Sequence, residues 1–390
     1  LRRAIAEPEA QAQLCFVDSQ LAGGQVSSIA VPRLFRNRPD IRFSRPVHED
    51  ITDSLFALGL KTINHSGVRL LHKGYQPEIV ASRDKVGRNL AILRQRVRDV
   101  PGDIYSTWKL AAALSQPEQA AERHQAFHAA VALSEGLSAE ARGEYPFLPL
   151  VYAGLGQSLG ERGALAEGLR AVDQGLGHFD GNVDLIFRRG DLLRRSGDSD
   201  QAARCLRQCV GAERASIFYS GDAAARGVLP AVGLGLLALE AGNLDGAVSM
   251  VSLALRFDAT NLDARCLKVR TLVVQGQIPQ AMTELEGLMK LAPTAPPVQL
   301  LGGELAWLQG DHELAMDLWR GAQGPTDAGN DARAQLAIAE LAYGSRTAAI
   351  LHLPDLVARD VPSAACRAIL TLLCGADLQI DTAFRKEALL

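Results

Sequence analysis

Gly242-Asn243-Leu244-Asp245-Gly246-Ala247, Gly276-Gln277-Ile278-Pro279-Gln280-Ala281 and Gly310-Asp311-His312-Glu313-Leu314-Ala315 repeat one arrangement, a glycine followed five residues later by a small residue. The same pair recurs as Gly163/Gly168, Gly197/Ala202 and Gly344/Ala349, and successive glycines stand 34, 45, 34, 34 and 34 residues apart. The long interval exceeds the others by 11 residues and contains the Gly/Ala-rich segment from Ser220 to Gly227. A period of this length means stacked supersecondary units. Glycine at a turn between antiparallel helices adopts the left-handed conformation cheaply, and a small residue five positions on lets the second helix approach the first. A second small residue precedes the turn by seven positions as Gly156, Gly190, Gly235, Gly303 and Ala337, with Val269 breaking the series. Ala281, Leu285 and Leu288 continue at helical spacing until Pro293 stops the helix. Asp180-Gly181-Asn182 and Asp258-Ala259-Thr260-Asn261 read as turns between units.

From about Asp103 to its end the chain resembles a tetratricopeptide repeat array. An earlier, degenerate unit is expected as helices Tyr105–Leu114 and Glu118–Leu133, joined near Ser115-Gln116-Pro117, with a loop over Gly136–Pro149 displacing the next unit. The fold class is therefore mainly α, a tetratricopeptide-like α-α superhelix over residues 101–390 after a small truncated α/β portion over residues 1–100. Such helix pairs bury their apolar faces only by stacking, which leaves a concave groove. The resemblance implies a protein or peptide partner in that groove without naming it. Arg188, Arg189, Arg194 and Arg195 offer one face to an acidic ligand, although four arginines on one helix ordinarily read as solvated surface.

Composition narrows the function classes. With 41 Lys+Arg against 44 Asp+Glu the formal charge is −3, which argues against a general nucleic-acid coat or a polybasic membrane binder. Hydrophobic residues at 47% and charged residues at 22% describe a folded chain, and aromatics at 5% favour close-packed helices over a β-sandwich. The longest apolar run, Val228 to Leu239, is broken by Pro230 and too short to span a bilayer. The six cysteines show no CxxC spacing, so free thiols in a reducing, cytoplasmic setting are expected. The chain opens on Leu1-Arg2-Arg3-Ala4-Ile5 as if midway along a helix, without signal-peptide order, so an upstream part of the parent protein is expected.

Before Asp103 the period disappears. Leu14–Val17 and Val26–Phe35 read as strands separated by a turn at Ala22-Gly23-Gly24, and a short helix is expected to run to about Ala57. Val86, Leu90, Leu93 and Val97 mark a longer helix. Arg33-Leu34-Phe35-Arg36-Asn37, His48-Glu49, His72-Lys73-Gly74-Tyr75 and Arg88-Asn89, in that order, resemble the end of a bacterial family 2 glycosyltransferase domain. The resemblance covers about residues 1–100 and implies a GT-A fold, a nucleotide-sugar donor, a glycan, protein or peptide acceptor, and a divalent cation (Mn²⁺ or Mg²⁺). The Asp-x-Asp motif and donor-binding half of such enzymes would lie upstream, so this chain is expected to be inactive alone. By resemblance Glu49 is the base for the acceptor hydroxyl, Asp50 its substitute and His48 an orienting group. Arg33, Arg36 and Asn37 would contact the diphosphate, and His72 the metal. The chemistry suits these types: a carboxylate takes the acceptor proton, guanidiniums fork onto diphosphate oxygens, and a neutral imidazole ligates a metal. Arg38, Arg42 and Arg45 read as surface ion-pair partners.

Other motifs carry less. Asp198-Ser199-Asp200 matches the metal-binding string but lies in a repeat turn, in register with Asn243-Leu244-Asp245. His124 and His128 lack a third ligand, and His48-Glu49-Asp50-Ile51-Thr52 lacks the second histidine of a metalloprotease. Trp307 and Trp319 read as packing residues. The leading expectation is thus the C-terminal part of a glycosyltransferase with an acceptor-positioning repeat array. The alternative is a non-catalytic repeat scaffold for protein interaction.

Overall fold

The computed structural model describes residues 6, 11–20, 26–44, 47, 49, 51–60, 64–72, 85–212, 223–323 and 327–343. They form two compact units, one holding the described residues up to Val151 and the other those from Tyr152 onward.

The first unit begins with a three-stranded sheet ordered β2-β1-β3, from β1 (Ala12–Gln20), β2 (Val26–Phe35) and β3 (Asn64–His72). β1 pairs antiparallel with β2 and parallel with β3, with irregularities after Gln13 and Leu14 respectively. α1 (Thr52–Ala57) precedes β3, and Leu14, Ala30, Ile41, Ile51 and Leu55 make the core of this part. The strand read at Leu14–Val17 extends at both ends, because the flanking polar residues are paired through their backbones on both sides of β1. The turn expected at Ala22-Gly23-Gly24 lies outside the described residues.

The unit continues through α2 (Lys85–Asp99), α3 (Ile104–Ala113), α4 (Ala120–Glu135) and a single-turn α5 (Ala139–Gly143). Asp103 starts α3 by accepting from the Ser106 N–H at 2.9 Å, and Arg96 holds the same carboxylate at 2.8 Å. α3 and α4 are the degenerate helix pair, and Tyr105 and Trp108 of α3 form a ring cluster with Phe147, beyond α5, with Trp108 stacked on Phe147 at 4.8 Å. The loop expected over Gly136–Pro149 is partly helical. Ser138 caps α5, and Pro149 falls in the first turn of α6 (Leu148–Glu161), where its missing N–H costs nothing.

In the second unit each repeat is a helix pair: α6 with α7 (Leu165–His178), α8 (Val183–Ser196) with α9 (Ser199–Cys209), and α10 (Val228–Glu240) with α11 (Leu244–Phe257). α12 (Leu262–Val274) with α13 (Ile278–Leu291) and α14 (Pro296–Leu308) with α15 (His312–Ala322) follow, and α16 (Asp327–Tyr343) opens a further pair. The turn glycines Gly163, Gly197, Gly242, Gly276 and Gly310 have φ between 69° and 89°, the left-handed region the repeat requires. The next residue caps the second helix where it can: Asp198, Asn243 and Asp311 accept from the N–H three positions on. Ala202, Ala247, Ala281 and Ala315, five residues after the turn, are fully buried. A methyl group on Gly235 would strike the Leu267 side chain at 2.5 Å, and one on Gly303 would strike the Trp319 indole. The helices touch at these positions, and Val269 is accommodated fully buried in the same register. Pro230 does not break the apolar run, because it lies in the first turn of α10. The chain is thus mainly helical, with a tetratricopeptide-like α-α superhelix in this unit.

Candidate functional site

The expected transferase residues belong to the first unit. Arg33 is an exposed residue of β2, and its Nη1 donates to the Glu49 backbone carbonyl at 3.2 Å, so the structure brings these two residues together through main chain. The Glu49 carboxylate is on an exposed irregular segment, and Arg36 and Asn37 are exposed just beyond β2. His48, Asp50 and the side chain of His72, the last residue of β3, lie outside the described residues. Arg38 forks onto Asp40, the surface ion pair expected of it, whereas Arg42 donates to the Arg38 backbone carbonyl; Arg45 lies outside the described residues. Among the described residues no group of three or more His, Cys, Asp or Glu could hold a metal ion. What the sheet does assemble is a stack absent from the sequence reading. His65 lies on Phe16 at 5.1 Å, and Arg69 lies over the same ring while forking onto Asp18 at 2.8 and 2.6 Å.

In the second unit the first helices of successive repeats, α8, α10, α12, α14 and α16, pack on one another and form an inner wall. Their wall-facing stripe follows from helical periodicity. Counting back from each turn glycine, positions 13, 6 and 2 lie on one face. The stripe holds Asp184, Asp191 and Arg195 on α8, Leu229, Leu236 and Glu240 on α10, Asp263, Arg270 and Val274 on α12, Pro297, Glu304 and Leu308 on α14, and Asp331 and Ile338 on α16, with Asp184 paired to Arg226 at 2.9 Å. No linear motif marks it, because its ionisable residues are spread over five helices and only the stacking brings them together.

Asp191 collects three guanidiniums: Arg188 at 3.3 Å, Arg194 at 3.5 Å and Arg195 at 4.0 Å. Burial pushes its carboxyl up, but the three cations outweigh burial and hold it below its ordinary value. These arginines are not free surface. Arg188 also donates to the Gln157 side chain at 2.8 Å and Arg195 to the Gly160 carbonyl at 2.6 Å. Only Arg189 departs, pairing with Asp173 on α7 at 2.7 Å. The solvated-surface reading thus fails for three of the four, because Asp191, one turn away on the same face, gathers them.

Further along the wall the balance reverses. Burial raises the carboxyls of Glu240, Asp263 and Glu304. Arg194 and Arg270 oppose the rise at Glu240, Asp191 adds to it at Asp263, and at Glu304 Arg270 opposes while Asp331 adds. Arg270 is the counter-charge, its guanidinium held charged mainly by Glu304, 3.8 Å away, with Asp331 and Glu240 contributing. These side chains keep some solvent contact, 28% for Arg270 and 14% for Glu304, while protein surrounds them on the other sides. Val274 and Leu308 are apolar yet 39% and 49% exposed at the C-terminal edge of the stripe.

The remaining candidates are structural. Asp198 caps α9 by accepting from the Gln201 N–H at 3.1 Å, so the Asp-x-Asp string serves a turn. Trp319 is buried and donates to the Leu300 carbonyl at 3.3 Å, with Trp307 at 5.6 Å, in the packing role expected of both. Cys15, Cys205, Cys209 and Cys266 are free, and burial pushes the Cys209 and Cys266 thiols up to about 12. No helix among the described residues is long and apolar enough to cross a membrane.

Comparison with known proteins finds the same repeat. The tetratricopeptide repeat family profile matches residues 238–305, the stretch from α10 into α14. A TPR repeat-containing protein of Synechococcus elongatus is 36% identical over 121 residues, 30% of this chain and 30% of that protein. The structure of a tetratricopeptide repeat protein from Parabacteroides merdae aligns over 75% of this chain and 99% of that one, at 14% identity and a TM-score of 0.44. The Cut9-Hcn1 hetero-tetramer of the APC/C aligns over 76% of this chain and 54% of that one, at 13% identity and a TM-score of 0.46. The chain carries a tetratricopeptide repeat array; these matches do not bear on the sugar-transfer expectation.

Proposed function

We propose that this chain acts as a protein-interaction scaffold, holding an extended segment of a partner along the inner wall formed by α8, α10, α12, α14 and α16. The observation that carries the reading is the wall itself. Charged side chains from α8, α10, α12, α14 and α16 stand there still open to solvent, with exposed Val274 and Leu308 beside them. Groups held in this way present fixed charges, a surface suited to recognising polar peptide. The family profile and the Synechococcus relative support the repeat itself. Binding needs no residue of the sheet, so the scaffold reading stands without a transferase activity.

The test is selection from a random displayed-peptide library with the full chain, followed by hydrogen-exchange mapping of the bound peptides. Protection on α8, α12 and α14 is expected. Failure to select any peptide, or protection confined to α9, α11, α13 and the strands, overturns the reading.

A further inference from the structure

We infer that the inner wall selects a segment of fixed charge order: carboxylates at one end over α8, and lysine or arginine together with one apolar residue at the other end over α12–α16. This deepens the scaffold reading and rests on it.

Along α8 three guanidiniums share the carboxylate of Asp191, and Arg194 reaches it only at 3.5 Å while 19% exposed. A partner carboxylate entering there completes the fork that Asp191 alone leaves unfilled. From the end of α10 to α16 the excess is of the other sign: Glu240, Glu304 and Asp331 all act on Arg270, with Glu304 at 3.8 Å. The Glu304 carboxyl, 14% exposed and 3.8 Å from Arg270, lacks enough counter-charge to offset its burial. An ammonium or guanidinium from a partner supplies it. Val274 and Leu308 lie on the C-terminal edge of this acidic half and offer an apolar contact to one side chain of the segment.

The spacing follows from the stack. Packed helices lie about 8–10 Å apart, so the three steps from α8 to α14 cover ~27 Å. An extended chain advances about 3.3 Å per residue, which separates the acidic and basic ends by roughly eight residues.

The experiment uses the full chain and five labelled synthetic peptides of equal length. One has a glutamate block, a neutral spacer and a lysine block containing one leucine; the second is its sequence reversal. The third has the same composition with alternating charges, and the last two carry one sign only. Fluorescence anisotropy is read at low and high salt. One of the two block peptides is expected to bind at least about tenfold more tightly than the alternating peptide, and salt is expected to weaken it. Arg194→Gln and Glu304→Gln are each expected to weaken that peptide about tenfold, and Leu308→Asp to weaken it without changing helix content. Equal affinity for the alternating peptide, or block-peptide binding indifferent to both charge substitutions, overturns the charge order. If library selection still yields wall-binding peptides, the scaffold reading survives that result. If neither the library nor any of the five peptides binds, both fall.

Discussion

Asp191 on α8 and Asp263 on α12 belong to inner helices with α10 between them, yet the charge of Asp191 adds to the upward push on the Asp263 carboxyl. Arg270 on α12 and Asp331 on α16 repeat the relationship with opposite signs across α14. Both pairs act across one intervening helix of the wall.

The two kinds of carboxylate on that wall predict opposite responses to pH. Asp191 is held below its ordinary value of 3.8, so its stabilising contribution is present above that value and is lost as pH falls through the folded-state value. Asp191→Asn should cost about 1–3 kcal/mol at neutral pH, because three guanidiniums lose their shared acceptor, and the difference from the parent chain should close in acid. Glu304 is raised above 4.5, so its favourable contribution is present below that value and is lost as pH rises through the folded-state value. Glu304→Gln should therefore leave Tm unchanged or raised at neutral pH, with any gain disappearing in acid. Thermal melts of the three chains from acid to neutral pH check both signs.

Gly303 has no room for a methyl group against the Trp319 indole. Gly303→Ala is expected to cost about 1–3 kcal/mol by forcing α14 and α15 apart. A change in tryptophan emission should accompany it, read by denaturant titration. Pairing it with Trp319→Phe should recover part of the loss.

Gly276 makes its turn at φ 74° with open space where a side chain would go. Gly276→Ala should therefore cost about 1 kcal/mol through backbone strain alone. Gly276→Asn should cost less, because asparagine tolerates this region better. Urea unfolding with an unchanged m-value would confirm that only the turn is affected.

Glu49 is exposed in the first unit and is no part of the inner wall. Glu49→Gln is expected to leave the affinity for wall-binding peptides unchanged, measured beside Arg194→Gln in the same anisotropy assay.

The repeat was legible in the sequence because its requirements are local. A left-handed turn demands glycine and close helices demand small residues, so Gly197, Gly242, Ala247 and Gly303 each announce their position. The helix at Val86–Val97 and the strand at Val26–Phe35 were equally plain from their spacing. The inner wall was not legible, because Asp191, Glu240, Arg270 and Glu304 become neighbours only once four helices have stacked. The four clustered arginines were the one trace of it. Their assignment turned on Asp191 and Asp173, one on the same helix and one on the preceding helix, whose roles no linear pattern marks.

The turn glycines, the buried alanines and the tight glycines on the inner helices hold the stack without using a single residue of the wall stripe. Construction and recognition are therefore written on separate positions of each unit. The stripe can be rewritten, one cassette at a time, while the joints stay as they are, so a family of chains could share this skeleton and read quite different sentences.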